Sequence, residues 1–498
     1  MRLPPALGAA TALAIATVAS VARWRFLHSS PYPLGIDGFY YAIQLRSLLR
    51  DHHLYYRASP MAFWLMLPGA WALGPIAGAK LGAAVGTALA AVPVYAIVSR
   101  ATGDRLTGLI GAAIVATSAG SFYLATEFVK QGVGLTLALA FVATLGAALD
   151  APAGRGRRTW FGAAAALFVA TLLAHLTALG VAVTFAIPPL WVRATRVGSA
   201  HRLRSTALIV ATMVVLAAVV VLLVPAVRHD MGLAQLFGPA SVDFMNGPAF
   251  HHEVPLGALA AVILALRVLA HRVRVPRDDL RATEPSAESR ALLLGPAVMA
   301  LMLAVPWFSG RDFDGLVSRL RIMAFVPLAI CAPVVIAQLI THARANLQRA
   351  LQVTIAAMLL VVVPLTYAEP VAWPNPSFVP AAGAIAEHTP PDAVVIVNHR
   401  QLAFLVKWAA DREARRQPPA VIGARPVFRL ASPGVLSPAL VRTLEGVEQP
   451  LRAHLPRPVR LGPSQPVMIL VAEPTWQAVM QSASRVDRAQ MQTRTGWR

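Results

Sequence analysis

Cysteine is almost missing from this chain: the single copy, Cys331, lies inside a hydrophobic run, which excludes both an intrachain disulfide framework and a cysteine zinc site. Charge is nearly as scarce. Only 13% of the 498 residues are Asp, Glu, Lys or Arg, against about a quarter in soluble globular domains. Hydrophobic residues make up 57% and the mean hydropathy is +0.60, so the bilayer, not water, is the natural solvent. Lysine occurs only at Lys80, Lys130 and Lys407, and arginine carries the remaining positive charge, as expected from a GC-rich bacterial genome. Glycine-rich phosphate loops, a nucleophile elbow and an HExxH spacing are absent, which leaves nucleotide-driven and acyl-transfer chemistry without support. No repeat recurs at a fixed period, which argues against inverted-repeat transporters.

What is present is a succession of apolar runs separated by short arginine-rich loops. Basic residues outnumber acidic ones 44 to 23. They are scattered between apolar runs instead of gathered on one face, which fits topology determinants and excludes nucleic acid as a partner. The first run, Ala6 to Val21, reads as an uncleaved helix, because no small-residue cleavage site precedes Arg23-Trp24-Arg25. The segment 23–78 reads as a first outer loop. Its polar part, about Arg23 to Pro60, carries too many charges to span, and Met61 to Gly78, broken by Pro68, Gly69, Gly74 and Pro75, reads as an interfacial helix.

Further spans are expected near 79–98, 106–120, 132–149, 160–177, 179–192, 206–226, 255–270, 291–308, 322–340 and 350–367, about eleven with the first. Arg100/Arg105, Arg155/Arg157/Arg158, Arg193 to Arg204, Arg272 to Arg290 and Arg344/Arg349 then share one side, which the positive-inside rule makes cytoplasmic. The N-terminus is expected on that side. The tail and the loops around Asp37, Glu127, His175, Arg228–Glu253 and Ser309–Arg321 are expected on the other. After Tyr367 the composition turns Pro-rich, which places a boundary between a membrane domain, 1–367, and a soluble C-terminal domain, 368–498. In the latter, Ala393–Val397 and Val467–Val471 read as buried strands and Gln401–Arg416 as an amphipathic helix. The expected fold is therefore an all-α polytopic membrane domain followed by a small α/β unit.

Few residues in such a sequence can carry chemistry. Asp37, in Gly35-Ile-Asp-Gly-Phe-Tyr-Tyr41, sets one carboxylate between glycines outside the bilayer. It suits a divalent cation or a sugar hydroxyl proton, and equally a helix cap for Gly38–Leu49. Asp51, fourteen residues on, lies about 21 Å away along a helix and cannot share a metal with it without a fold-back. Glu127, in Tyr123-Leu-Ala-Thr-Glu-Phe-Val-Lys-Gln131, offers a second acidic group or an i,i+3 pair with Lys130. His175, in Leu173-Ala-His-Leu-Thr177, sits at a bend between helices. Arg319 and Arg321 stand at an outer helix start against the positive-inside trend, where two guanidinium forks suit a lipid-linked phosphate, or a snorkelling pair with Asp312 or Asp314. His251-His252-Glu253 reads as a solvated loop.

The first-loop motif Gly-x-Asp-Gly-x-Tyr-Tyr, followed by Leu-Leu-Arg-Asp-His-His-Leu-Tyr-Tyr, resembles the first loop of the GT-C class of membrane glycosyltransferases. That class includes oligosaccharyltransferases, protein mannosyltransferases and aminoarabinose transferases. The layout is similar as well, with a catalytic first loop, an interfacial helix, many spans and an extracytoplasmic tail domain. The resemblance implies transfer of a sugar from a polyprenyl-phosphate donor to a glycan, lipid or protein acceptor on the outer face of the cytoplasmic membrane. It implies catalytic roles for Asp37 and Glu127, which would also hold a Mg²⁺ or Mn²⁺ ion if one takes part, and a donor site at Arg319, Arg321 and His175. Many members carry a second acidic residue beside the first, and this sequence has none there. A secondary transporter or lipid flippase, or a non-catalytic scaffold in cell-envelope assembly, is the competing expectation. Transport predicts ionisable residues in mid-helix, and the singled-out charges fall at helix ends instead.

Overall fold

The structure is a computed structural model that describes residues 4–35, 37–195, 207–215, 253–271, 285–304, 316–339, 350, 353–354, 357, 378–398, 400–416, 425–431, 459–461 and 468–482. It divides into two compact units. One comprises Met1–Ser29 with Leu48–Pro370, the other Ser30–Ser47 with Val371–Arg498.

The first unit is helical. Its elements are α1 (Pro5–Leu27), the end of α2 (Gly38–Asp51), α3 (Met61–Leu73), α4 (Pro75–Ala88), α5 (Ala91–Thr102), α6 (Arg105–Thr117), α7 (Ala119–Thr126), α8 (Val129–Asp150), α9 (Arg155–Ala174) and α10 (Leu176–Thr195). After these come α11 (Glu253–His271), α12 (Ala287–Ala291), α13 (Leu294–Ala304), α14 (Leu316–Ile322) and α15 (Phe325–Leu339). Among the described residues five helical stretches have the length and apolarity to cross a membrane: Pro5–Leu27, Pro75–Thr102, Val129–Asp150, Leu176–Thr195 and Ala287–Ala304. The pair α6 and α7, bent by 45°, makes a sixth if taken as one broken span. The spans expected at 206–226 and 350–367 fall largely outside the described residues. Helix α3 is 13 residues long, about 20 Å, and is too short for a hydrocarbon core of about 30 Å. Its Trp64, Leu65, Trp71 and Leu73 are exposed, as an apolar helix that lies against lipid requires.

The core of this unit lies where α5, α6, α8, α10 and α15 meet, around Val94, Ile97, Ile114, Phe141, Phe185 and Leu328. Glycine allows the closest approaches. A Cβ at Gly111 would lie 2.6 Å from the Ala329 carbonyl oxygen, and one at Gly120 would lie 2.4 Å from that of Ile322. Backbone therefore packs on backbone along α6 and α7, as is common where helices meet without a hydrophobic driving force.

Two expectations about charge in this unit are corrected. Arg23 does not begin an outer loop: α1 runs on to Leu27, and the Arg23 side chain is buried at 2% exposure. Glu253 is not in a solvated loop: it opens α11 at 3% exposure, while His251 and His252 lie outside the described residues. The reason is the same in both cases. The span expected at 106–120 breaks at Ser118, and a broken helix inside a packed body exposes backbone groups that need partners. Arg23 supplies donors to the end of α6, through Nη2 to the carbonyls of Val115 (3.4 Å) and Ala116 (3.1 Å). The same guanidinium donates to Thr87 Oγ1 (2.8 Å) and Ser121 Oγ (3.0 Å). Glu253 serves the start of α7, where its Oε1 accepts from Ser118 Oγ (2.6 Å) and from the Gly120 N–H (3.3 Å). Ser118 in turn caps α7 by accepting from Ser121 N.

The second unit is α/β. Helix α16 (Phe378–His388), β1 (Val394–Val397), α17 (Arg400–Ala410), β2 (Glu413–Arg415), β3 (Val427–Ala431), β4 (Val459–Leu461), β5 (Met468–Ala472) and α18 (Glu473–Ser482) follow in order. The sheet runs β2-β1-β3-β5-β4, with β1 parallel to β2 and β3, and β5 antiparallel to β3 and β4. The all-buried β1 and β5 read as near-continuous apolar runs, which is why they are legible in the sequence. The helix expected to reach Arg416 stops at Ala410. Asp411 takes φ +53°, a left-handed turn that ends a helix, and the chain from Glu413 joins the sheet instead.

Candidate active site

The residues singled out in the sequence divide between the two units. Asp37 belongs to the unit formed by Ser30–Ser47 and the tail, while Glu127, His175, Arg319 and Arg321 belong to the helical unit.

Asp37 stands immediately before α2, half-buried, and its carbonyl accepts from the Tyr41 N–H (3.4 Å). The turn ahead of it is closed by the Gly38 N–H on the Gly35 carbonyl (3.3 Å), with Gly35 at φ +83°, a left-handed conformation that glycine adopts without strain. Gly38 is also required by space, because a Cβ there would lie 2.7 Å from Pro33 Cβ. The glycines on both sides of Asp37 thus have separate structural causes, and together they fix the carboxylate at a helix start.

In the helical unit the structure brings Arg319 to Phe128 and Gln131, the residues that follow Glu127. Glu127 ends α7, with its N–H on the Tyr123 carbonyl (2.8 Å), and is 5% exposed. Phe128 follows it, and the Arg319 guanidinium lies over that ring at 5.7 Å from the centroid. Gln131, one turn into α8 and 1% exposed, donates from Nε2 to the Arg319 carbonyl (2.8 Å), which ties α14 to the start of α8. Arg321, two residues on, has its Nε buried without a hydrogen-bond partner among the described residues. Gln131 is a residue that sequence reading missed, since an amide between apolar residues gives no periodic signal.

His175 lies between α9 and α10 with an extended backbone and accepts at Nδ1 from the Thr177 N–H (3.3 Å), with Thr177 Oγ1 2.7 Å away. An acceptor Nδ1 places the proton of the neutral ring on Nε2. The ring stem packs against Gly134, whose Cβ would come within 3.0 Å of His175 Cβ. Gly134 follows Gln131 by three residues, so His175 and the Arg319 carbonyl meet neighbouring spots on one face of α8. Around the first turns of α8 the helical unit therefore places Arg319, over Phe128, and His175, against Gly134, with Glu127 just before the helix.

Comparison with solved structures gives this arrangement a context. The chain superposes on ArnT from Cupriavidus metallidurans bound to undecaprenyl phosphate with a TM-score of 0.58 at 14% identity, over 92% of this chain and 97% of that one. The same ArnT in its apo state gives 0.60. The chain has the GT-C fold. The chain also resembles the archaeal oligosaccharyltransferase AglB from Archaeoglobus fulgidus in complex with an inhibitory peptide and a dolichol-phosphate, at TM-score 0.54 and 12% identity over 81% of this chain and 64% of that one. The sequence matches no protein-family model and no curated protein. With identities this low the likeness is one of architecture, which extends over most of the chain.

Proposed function

We propose that this protein is a membrane glycosyltransferase that moves a sugar from a polyprenyl-phosphate donor to an acceptor on the outer face of the cytoplasmic membrane. The observation that carries the reading is the GT-C architecture shared over 92% of the chain with a protein bound to undecaprenyl phosphate. Arg319 and Arg321, two guanidinium groups on one short helix, support it, since such a pair is suited to a phosphate.

In this scheme an acceptor oxygen attacks the anomeric carbon, and the bond from that carbon to the phosphate oxygen breaks. Polyprenyl phosphate departs with the bonding electrons, and the acceptor proton passes to the Asp37 carboxylate as general base. Arg319 and Arg321 hold the leaving phosphate, whose charge grows as the bond breaks, and His175 lies in the donor region. Glu127 is the second acidic group. Among the described residues there is no group of three or more His, Cys, Asp and Glu placed to hold a metal. A divalent cation, if one takes part, would rest on Asp37 or Glu127 and otherwise on water and phosphate oxygens, a ligand set that suits Mg²⁺. It would supply charge neutralisation at the phosphate.

Transport has one observation in its favour, because ionisable groups are buried in the helical body, Lys80 within α4 among them, as well as Arg23 and Glu253. The latter two are engaged by the ends of a broken helix, which accounts for them as structure.

The test is transfer of label from a radiolabelled polyprenyl-phosphate sugar pool in membranes holding wild type, Asp37→Asn or Arg319→Ala/Arg321→Ala at matched levels of folded protein. Transfer by wild type, its loss in Asp37→Asn and weakened donor use in the arginine pair are expected. Absence of transfer by wild type from every donor in the pool would overturn the enzymatic reading.

A further inference from the structure

The segment that carries Asp37 packs within the same unit as the C-terminal domain, and helix α17 supplies a set of the contacts that hold it. Arg46, two helical turns after Phe39, reaches the C-terminal end of α17. Its Nη1 donates to the Trp408 carbonyl (2.9 Å) and its Nη2 to the Lys407 carbonyl (2.9 Å). Those are two of the last carbonyls of α17, which lack partners inside their own helix. The same guanidinium lies 4.6 Å from the centroid of the Trp408 ring and 3.5 Å from Asp411 Oδ1, and Lys407 joins Asp411 at 2.8 Å.

Phe39 meets the Trp408 ring at a centroid distance of 6.1 Å. Phe39 and Arg46 lie about 10 Å apart along α2, and the Trp408 indole fills that interval. One turn back along α17, Phe404 packs on Tyr40 at 5.4 Å. Phe39, Tyr40 and Phe404 are each at least 92% buried. The residues that follow Asp37 are therefore tied to α17 by the cap that Arg46 gives its last carbonyls, a cation–π contact and two aromatic pairs.

The division between the two units falls inside α2, after Ser47. The first ten residues of α2 go with the tail, and only its last four go with the helical body. A catalytic first loop in a membrane enzyme would be expected to take its shape from the membrane helices on either side of it. Here its acidic residue is set at the start of a helix whose packing is provided by a domain more than 350 residues later in the chain.

We infer that the C-terminal domain is a positioning element for the acceptor-activating carboxylate, with Arg46 and Trp408 as the positioning residues that set the placement of Asp37. This inference rests on the glycosyltransferase reading for its catalytic consequence, but not for its structural one. Donor binding would be unaffected, because the donor groups belong to the helical unit. The rate of transfer would depend on Arg46, since a displacement of about 1 Å in a reacting group costs about a hundredfold in rate.

The experiment uses the full-length protein in membranes, as wild type, Arg46→Ala, Arg46→Lys, Trp408→Ala and Trp408→Phe. Amide hydrogen exchange is followed at Gly38–Ser47 and, as an internal reference, along α8. Turnover and donor KM are measured on the same samples. In Arg46→Ala and Trp408→Ala, exchange at Gly38–Ser47 should rise about tenfold while α8 is unchanged. Turnover should fall about tenfold to a hundredfold, with donor KM within about twofold of wild type. Arg46→Lys, which keeps the cation but loses the fork that reaches two carbonyls, and Trp408→Phe should give intermediate values and guard against a simple failure to fold.

Unchanged exchange at Gly38–Ser47 in both alanine variants would overturn the inference. So would raised exchange with full turnover, or a loss of turnover that comes entirely through donor KM. If wild type transfers no sugar, the glycosyltransferase reading fails by that result alone, and the exchange data still decide whether α17 holds the Asp37 turn.

Discussion

Arg23 in the helical body and Arg429 in the tail sheet are both almost fully buried, at 2% and 1% exposure, but different shortages bring them inside. Arg23 answers a shortage of donors: a helix ends within a packed body, and its guanidinium serves two carbonyls and two hydroxyls. Glu253 answers the opposite shortage at the next helix start. Arg429 and Glu473 answer each other, through Nε to Oε2 (2.5 Å) and Nη2 to Oε1 (2.8 Å), a two-pronged pair beside the Trp476 ring. Arg429 stands opposite Val471 in the β3–β5 register, and Glu473 lies two residues past Val471, so the two charges meet diagonally on one face. In the helical unit, then, buried charge completes broken backbone. In the sheet unit, where the ladder already completes the backbone, buried charge must bring its own counterion.

That contrast predicts different responses to removing a charge. Arg429→Met removes two charge-assisted hydrogen bonds from Glu473, leaving it the Gln477 amide, and should cost about 3 kcal/mol. Arg429→Met combined with Glu473→Leu should recover most of that loss, since an apolar pair of similar volume often does as well as a buried ion pair. Exchange protection of β3 and β5 in the single and double variants measures both. If the double variant is no better than the single, mutual neutralisation is the wrong account of this pair.

Next in size are two glycines that have the same chemistry and opposite surroundings. Gly120→Ala brings a methyl within 2.4 Å of the Ile322 carbonyl oxygen and 2.7 Å of Glu253 Oε2, which forces α7 and α14 apart at about 1–3 kcal/mol. Gly162, inside α9, has nothing within 4 Å of its Cβ position. Gly162→Ala should therefore stabilise by about 0.5–1 kcal/mol, the ordinary helix gain. Thermal unfolding of the two variants side by side should shift in opposite directions. Gly120→Ala should also weaken donor use, because α14 carries Arg319 and Arg321.

These residues also mark what the sequence could and could not convey. The long apolar helices and the fully buried strands β1 and β5 are legible, because burial on all sides leaves a continuous apolar signature. Strand β2, with the sequence Glu-Ala-Arg, gives no such signal and is held by pairing with β1. Arg23 and Glu253 read as loop residues because a charge is ordinarily evidence of water, and their partners are backbone groups at a break distant in sequence. Asp37, Glu127, His175, Arg319 and Arg321 could be singled out as polar groups at helix ends. The contact of Arg319 with Phe128 and Gln131 depends on helix packing that no spacing reveals. The tie between Arg46 and Trp408 spans 362 positions and is equally silent in the chain.

The helix break offers a finer test, in which charge and hydrogen bonding are separated. Glu253→Ala leaves Ser118 Oγ and the Gly120 N–H without their acceptor in a buried place, and should cost about 1–3 kcal/mol. Glu253→Gln keeps an acceptor oxygen at that spot and should cost less than half as much. If the two variants are equally damaging, the negative charge at the start of α7 outweighs the hydrogen bonds. Thermal unfolding of both, with exchange along α7 as the local probe, distinguishes the two terms.

The smallest effect is expected in the tail, at Glu413 on the edge strand β2, and it separates buried from exposed charge within one unit. Partial burial raises the Glu413 carboxyl, but hydrogen bonds from Arg425 (2.7 Å) and Arg415, with their charges, outweigh it and hold the group below its ordinary value. A carboxylate whose folded pKa is depressed contributes stability that is fully present above the unfolded pKa of about 4.3 and is lost as pH falls through the folded value. Both arginines are about half exposed, so solvent screens the cluster and its worth is that of a surface ion pair, about 0.2–1 kcal/mol. Glu413→Gln should thus lower tail stability slightly at pH 7, and the difference from wild type should shrink as pH falls through the depressed folded value of Glu413 and vanish below it, where both side chains are neutral. The difference should also shrink in about 1 M salt, whereas the Arg429–Glu473 pair, with its arginine buried, should lose less of its contribution there. A Glu413 effect that survives both acid and salt would mean that packing, not charge, keeps β2 on the sheet.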